Sequence, residues 1–157
     1  MIQIIFRKTD WEKLARHLMS RKDVESGSYA VYKTSILNSC QKLLVLRILI
    51  PEDKDYFVRT PVRVSFTPEF TEKAFRLCET SNGHLLDIHT HPWSSKVNFS
   101  LIDDGEARHT KVPYLTKYLP GTNIAFIVFG NTLEIAKARF WNNPVNALSG
   151  IDRIIVI

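Results

Sequence analysis

Two histidines, His89 and His91, stand two positions apart at the end of a predicted strand, and Pro92 follows them directly. Residues i and i+2 of a strand point to the same face, with Cα atoms roughly 6.5 Å apart. The two imidazoles can therefore aim at one point. Zinc binds imidazole nitrogens at about 2.0–2.1 Å, and such a metal lowers the pKa of its bound water towards about 7. The pair predicts a hydrolytic metal site.

A third ligand is available from the segment that follows. Asp103 lies in the first turn of a predicted helix that begins at Ser100, and a carboxylate there would leave a fourth metal position open for water. The alternative interpretation is a helix cap, with Ser100 capping and Asp103 at the third helical position. Five fixed residues at these spacings occur by chance roughly once in a million starting points. We therefore favour the metal site.

The spacing of these residues resembles a known signature. Residues 89–92 read His-Thr-His-Pro, seven residues follow, and Ser100 then precedes Asp103 by three positions. This resembles the JAMM (MPN+) metalloprotease family, whose members fold as a mixed sheet flanked by helices. The resemblance implies that His89, His91 and Asp103 are zinc ligands, and that Ser100 donates a hydrogen bond to the oxyanion. Losing one such donor typically raises the barrier by about 3–4 kcal/mol.

The family signature also includes an upstream glutamate, and Glu25 is the candidate. Its position before small residues and a strand is similar to the family, although Tyr32 stands where the family usually has glycine. Glu12 lies within a predicted helix and Glu52 in an acidic turn, so both fit less well. The resemblance implies that Glu25 takes a proton from water and passes it to the leaving amine. The alternative is a solvated glutamate in a polar loop.

Further polar residues near the motif are interpreted more simply. Asp87 shares a strand face with His89 and could orient a ligand imidazole, but we favour a surface position. Trp93 either walls a substrate groove or packs beside the metal. His17 and His84 are predicted to lie on the surface, and no metal role is expected for His109, which follows Asp103 by six residues.

The predicted elements form an α+β (mixed α/β) fold, with roughly seven strands and about three helices in a single domain over residues 1–157. Thr9 and Glu12 predict a capping box for the first helix, and Thr67-Pro68 predicts the start of the second. The third helix begins at Ser100, and Gly105 and Pro113 disfavour its continuity. The clearest strand segments are residues 2–6, 29–37, 43–50, 62–66, 85–91, 124–129 and 132–140, with another at 153–157 and a hairpin turn at residues 130–131.

Composition limits the other function classes. The apolar run 124–129 is too short to span a bilayer and no secretory signal opens the chain, so we expect a cytoplasmic protein that binds no membrane. The net charge is +5, and residues 1–50 carry nine Lys/Arg against four Asp/Glu. These charges are scattered, which does not favour nucleic-acid binding but leaves an acidic protein partner open. Cys40 and Cys78 are expected to be reduced, buried thiols.

The resemblance implies an isopeptidase or peptidase that cleaves ubiquitin-like modifiers from targets or processes their precursors. The compact length resembles the prokaryotic branch, which implies E1-like activating and E2-like conjugating enzymes of the same operon as partners, including operons of antiviral defence. A longer protein fused to an E1-like domain is also compatible. The alternatives are hydrolysis of a small amide or thiocarboxylate-linked substrate, and a non-catalytic MPN-type scaffold that binds partners.

Overall fold

The computed structural model describes residues 1–142 and 147–157. Its strands are β1 (Ile2–Phe6), β2 (Gly27–Leu37), β3 (Cys40–Leu49), β4 (Tyr56–Thr60), β5 (Arg63–Phe66), β6 (His84–Thr90), β7 (Ile124–Phe129), β8 (Ala136–Asn142), β9 (Ala147–Gly150) and β10 (Arg153–Val156). Its helices are α1 (Lys8–Leu18), α2 (Pro68–Ser81), α3 (Leu101–Glu106) and α4 (Val112–Tyr118), with a π-helical segment, Ala107–Lys111, joining the last two.

Eight strands form one mixed sheet in the order β10-β1-β3-β2-β6-β7-β8-β9, and β4 pairs with β5 in a separate hairpin. β1 is parallel to both β3 and β10, and β6 is parallel to β7, whereas the other pairs are antiparallel. The predicted α+β class with a mixed sheet flanked by helices is confirmed. None of the described helices is long and apolar enough to cross a bilayer.

The sheet separates two apolar cores because successive strand residues point to opposite faces. On one face, α1 packs Leu14 and Leu18 against β1, β3 and the centre of β6, where Ile88 is fully buried. On the other face, α2 packs Phe70 and Cys78 against neighbours that include Leu85. β6 therefore contributes to both cores, and its carboxyl end emerges between them.

The two edges of the sheet are tied together between β9 and β10. The Ile151 N–H donates to the Ala138 carbonyl of β8, and the Asp152 N–H donates to the Ile2 carbonyl of β1, both at 2.9 Å. The Ile2 N–H donates in return to Asp152 Oδ2 at 2.6 Å. Residues 151 and 152 thus bridge opposite ends of the strand order, and the sheet wraps around α1.

The start of α2 follows the sequence prediction and the start of α1 does not. Thr67 caps α2 by accepting a hydrogen bond from the Phe70 N–H at 3.3 Å, with proline in the first turn. The capping box predicted for Thr9 and Glu12 is wrong, because α1 begins at Lys8 after an N-cap residue whose side chain makes no cap hydrogen bond. The first turn is instead bridged by an ion pair between Arg7 and Asp10.

Three other predictions about the elements need adjustment. The third helix is interrupted at its π-helical segment, whereas Gly105 lies inside α3 and Pro113 in the first turn of α4. β7 and β8 pair as predicted, but residues 130–135 connect them, so the two-residue turn at 130–131 is wrong. Strands β4 and β9 were not predicted. Cys78 is buried as expected, and Cys40 is only half-buried.

Candidate metal centre

The centre lies where β6 ends, beside the start of β2 and the start of α3. His89 is in β6, which pairs with β2 on one side and β7 on the other. His91 follows the strand, and its N–H donates to the Phe129 carbonyl at 2.7 Å. This bond extends the pairing with β7 by one residue. The backbone that carries both imidazoles is therefore held by pairing with neighbouring strands, and neither histidine lies in an unpaired loop.

Four side chains of the predicted site converge here. His89 Nε2 lies 3.1 Å from Asp103 Oδ1, and His91 Nε2 lies 3.4 Å from Asp103 Oδ2. His91 Nε2 also lies 3.5 Å from Glu25 Oε1. Glu25, His89 and His91 each offer a ligand atom, and the three atoms lie within 4.8 Å of one another. The structure therefore brings these four side chains together at one point.

The separations fit a metal ion. A tetrahedral zinc with bonds of about 2.0–2.1 Å holds its ligand atoms roughly 3.3 Å apart, close to the distances between Asp103 and the two imidazoles. His89 Nε2 is buried and makes no hydrogen bond of good geometry with the described residues. A buried donor or acceptor left without a partner is costly. Two imidazole nitrogens and a carboxylate are a donor set suited to zinc, so the residues present could hold a metal.

Glu25 is buried rather than solvated, being 3% exposed, so the polar-loop alternative is wrong. Its N–H donates to the Thr60 carbonyl of β4 at 2.9 Å, which places it just before β2. Burial raises the pKa of the Glu25 carboxyl to about 7, with the neighbouring negative charges of Asp103 and Glu106 adding to the effect and His91 opposing it. Near pH 7 this group can both accept and release a proton.

Ser100 and Asp103 form a reciprocal cap at the start of α3. The Asp103 N–H donates to Ser100 Oγ at 3.1 Å, and the Ser100 N–H donates to Asp103 Oδ2 at 2.6 Å. The helix cap is therefore present, and it leaves the Asp103 carboxylate within 3.4 Å of both imidazoles. Because Ser100 Oγ serves as acceptor in the cap, its hydroxyl proton can still be donated outward.

The imidazoles and the Asp103 carboxylate influence each other electrostatically. Burial alone would raise the pKa of Asp103, but its contacts with His89 and His91 outweigh burial and hold that pKa well below the usual range. Burial likewise disfavours protonated His91, and the contact with Asp103 together with the charge of Glu25 outweighs it and raises the pKa of His91. Asp103 thus stays ionised, as a metal ligand must.

Asp87 is buried beneath the centre, so its predicted surface position is wrong. Only 2% of the residue is exposed, and Oδ2 lies 2.6 Å from the Lys111 ammonium. Lys111 comes from the π-helical segment and also approaches Glu106 at 3.8 Å, while Glu106 pairs with Arg63 at 2.9 Å. The Asp87 carboxylate thus pairs with a lysine, and this pair links the π-helical segment to β6.

The other histidines and Trp93 lie outside the cluster. His17 and His84 are half-buried rather than on the surface: His17 Nε2 lies 3.0 Å from the Gly27 carbonyl, and His84 Nδ1 accepts from the Asn123 N–H at 3.1 Å. His109 is exposed. The Trp93 ring is stacked on His91 with ring centroids 6.2 Å apart, and 52% of the residue is exposed.

Arg59 is a neighbour of the site that sequence reasoning missed. Its Nε donates to the Glu25 carbonyl at 3.3 Å, and its Nη2 donates to Ser26 Oγ at 2.8 Å. The guanidinium lies over the Tyr56 ring, 4.3 Å from the centroid. Arg59 therefore holds the backbone that carries Glu25. No local pattern could have identified it, because β4 itself was not predicted.

A cavity of about 190 Å³ lies between β5, α2 and the segment that follows α3. It reaches Asp87, two residues before His89, and its wall includes Glu106, three residues after Asp103. Phe66, Phe75 and other apolar side chains supply most of the remaining wall. The cavity is lined by the Asp87–Lys111 pair and not by the four converging side chains themselves.

Comparisons with known proteins bear on the fold. No protein-family model matches the chain, and no curated protein matches it. The solution structure of protein DSY2949 from Desulfitobacterium hafniense is similar in fold, with a TM-score of 0.56 over 100% of this chain and 93% of that one. The two sequences are 13% identical. This likeness supports the α+β architecture and carries no information about activity.

Proposed function

We propose that this chain is a zinc-dependent isopeptidase or peptidase of the JAMM (MPN+) type, located in the cytoplasm. The observation that carries the proposal is the meeting of Glu25, His89, His91 and Asp103, with Ser100 at the N-terminus of the helix that supplies Asp103. These residues are far apart in the sequence, and they are the same residues to which the motif resemblance assigns catalytic and ligand roles. A buried cluster of this composition has no role in apolar packing.

In this proposal His89, His91 and Asp103 hold the zinc, which when bound would polarise the scissile carbonyl and acidify water. Glu25 accepts a proton from the attacking water and delivers it to the leaving amine. Ser100 donates its hydroxyl proton to the oxygen that gains negative charge. Asp103 is assigned as a ligand rather than as the base because its carboxylate lies within 3.4 Å of both imidazoles, whereas Glu25 lies 3.5 Å from His91 and farther, within 4.8 Å, from His89.

The substrate class rests on the motif resemblance. We infer that the bond cleaved follows the C-terminal tail of a ubiquitin-like modifier, either in a conjugate or in a precursor. E1-like and E2-like enzymes of the same operon would then be the functional partners. The small-amide or thiocarboxylate alternative draws its support from the cavity of about 190 Å³, which is of a size for a small group rather than a folded protein.

The test compares the purified chain with Glu25→Gln, His89→Ala and the control His109→Gln, which alters an exposed histidine outside the cluster. Zinc content is measured by elemental analysis. Hydrolysis is measured with a ubiquitin-like protein fused through its terminal glycine to a reporter peptide, and separately with a small peptide amide. We expect wild type and His109→Gln to bind zinc and cleave, Glu25→Gln to bind zinc without cleaving, and His89→Ala to lose both.

Two outcomes of this experiment separate the alternatives. Stoichiometric zinc without hydrolysis of the fusion or of any small amide contradicts both enzyme proposals and favours the partner-binding scaffold. Cleavage of a small amide but not of the fusion favours the second substrate class. Activity that persists in Glu25→Gln would show that another group acts as the base.

A further inference from the structure

One half of the main sheet has a face that the described helices leave open. α1 covers β1 and β3 on one side, where Ile4 and Leu43 are fully buried. α2 lies on the opposite side but packs against β2 and β6. The residues of β1, β3 and β10 that alternate with the α1 core therefore face outward. Leu44 is 37% exposed and Leu37, at the end of β2, is 55% exposed.

Strand register aligns the outward residues of this open face in two rows. The first row consists of Lys33, Leu44, Ile5 and Ile155, and the second consists of Ser35, Lys42, Gln3 and Arg153. The first row is mainly apolar and the second is polar and basic. Together they run across β2, β3, β1 and β10.

Two strands of the open face, β1 and β10, have the composition of strands that are covered on both sides. All-parallel sheets occur almost only with both faces covered, and their strands read as near-continuous apolar runs. β1 is parallel to both of its neighbours and reads Ile-Gln-Ile-Ile-Phe, while β10 reads Arg-Ile-Ile-Val. Within the described residues, only the α1 side of these strands is covered. The other side is suited to a partner.

The charge of the open face has one sign. β1, β2, β3 and β10 contain no Asp or Glu, and they carry Lys33, Lys42, Arg47 and Arg153. None of these four cations forms an ion pair with a described residue. Much of the excess positive charge of the first fifty residues therefore lies beside the apolar row.

We propose that the open face docks a protein partner that presents carboxylates around an apolar centre. Such a partner covers Leu44, Ile5 and Ile155 and neutralises the surrounding cations. A second copy of the chain would bring the same positive charge and is disfavoured. The two rows contain no aromatic side chain on which a nucleic-acid base could stack, so the apolar row favours a protein over a single strand of nucleic acid.

The test uses the full chain, labelled with ¹⁵N, and a short peptide of alternating Glu and Leu as the probe. Binding is followed by amide chemical-shift changes and by calorimetry, with a Gln-Leu peptide and oligothymidine as comparison probes. The charge-reversal variant is Lys42→Glu with Arg153→Glu, and Leu44→Ser tests the apolar row. Lys13→Glu with Arg16→Glu on the exposed side of α1 is the matched control, and thermal melting checks that every variant folds.

We expect the acidic peptide to shift amides of β1, β3 and β10, and the charge reversal and Leu44→Ser each to weaken binding by roughly tenfold or more. The wild type should bind the Gln-Leu peptide about as weakly as the two variants bind the acidic peptide. The α1 control variant should bind the acidic peptide as tightly as the wild type does. Equal binding of oligothymidine on the same strands would overturn the proposal in favour of nucleic acid. Self-association abolished by the charge reversal would overturn it in favour of a second copy, and unchanged binding by the variants would contradict it outright.

Discussion

Thr90 and Ser26 exchange hydrogen bonds where β6 ends and β2 begins. The Ser26 N–H donates to Thr90 Oγ1 at 3.0 Å, and the Thr90 N–H donates to the Ser26 carbonyl at 2.9 Å. Thr90 stands between the two histidines, and Ser26 follows Glu25. This pair therefore sets the distance between the carboxylate of Glu25 and the imidazoles.

Replacing Thr90 by valine should weaken the link between the segment that carries Glu25 and the strand end that carries His89 and His91. The change leaves the Ser26 N–H buried without its side-chain acceptor, which costs about 1–3 kcal/mol of unfolding free energy. Urea unfolding measures that cost, and elemental analysis should still find zinc. Thr90→Ser keeps the hydroxyl and should stay close to wild type in stability, and an equal loss in both variants would contradict the role of this hydrogen bond.

Arg59→Met should lower hydrolysis without removing the metal. The variant loses the donors to the Glu25 carbonyl and to Ser26 Oγ, and hydrogen bonds to charged groups contribute about 1.5–3 kcal/mol. We expect kcat to fall by roughly ten- to a hundredfold, with zinc content unchanged. Lys54→Met is the control, because Lys54 lies on the surface of the same region. Loss of zinc in Arg59→Met would show that Arg59 supports the ligands instead.

The buried Asp87–Lys111 pair should be strongly coupled. Removing one partner of a buried ion pair leaves an uncompensated charge and costs about 3–5 kcal/mol. Lys111→Met alone should therefore destabilise the chain severely, and adding Asp87→Asn should restore part of the loss. A double-mutant cycle by urea unfolding measures the coupling. If the two single losses simply add, the 2.6 Å contact contributes no coupling energy.

Tyr32→Phe should leave stability unchanged or raise it by up to about 1 kcal/mol, because removing a buried hydroxyl that has no partner relieves a desolvation penalty. The Tyr32 hydroxyl is buried and makes no hydrogen bond with the described residues. Tyr29→Phe is the comparison, since the Tyr29 hydroxyl lies 3.4 Å from Thr71 Oγ1. A melting temperature that falls in Tyr32→Phe would reveal a partner for the hydroxyl.

The two thiols should differ in reactivity. Burial raises the pKa of Cys78 to about 12, so roughly one Cys78 thiol in ten thousand is ionised at pH 8. Thiolate is the reactive form, and Cys78 is also shielded by α2 and its neighbours. A disulfide reagent should titrate Cys40 in the folded chain, and both thiols only after unfolding. Rapid reaction of two thiols at pH 8 would contradict the burial of Cys78.

The sequence was sufficient where the determinant is local or periodic. Thr67 and Pro68 mark the start of α2 because a cap needs only a side chain and a backbone N–H three residues on. The spacing of His89 and His91 identifies the centre because strand geometry alone puts both imidazoles on one side. The same holds for the cap formed by Ser100 and Asp103.

The remaining features depend on contacts between distant parts of the chain. Arg59 reaches Glu25 only because β4 lies beside the start of β2, and nothing within residues 56–60 specifies that neighbour. Asp87 pairs with Lys111 across 24 positions, so an isolated aspartate in a strand resembled a surface residue. The capping prediction for α1 is wrong for a different reason: Arg7 is the N-cap residue, and its ion pair with Asp10 stands two residues before the predicted pair of Thr9 and Glu12.

The bridge at residues 151 and 152 has a consequence for the order of folding. β1 lies between β3 and β10, so this strand acquires one of its two neighbours only after the ribosome has made residues 153–156. Contacts of such long sequence separation slow folding and leave intermediates with open strand edges. Until then, the Ile2–Phe6 edge is exposed to pairing with other chains. We expect truncation before residue 151 to yield aggregation-prone protein rather than a smaller folded one.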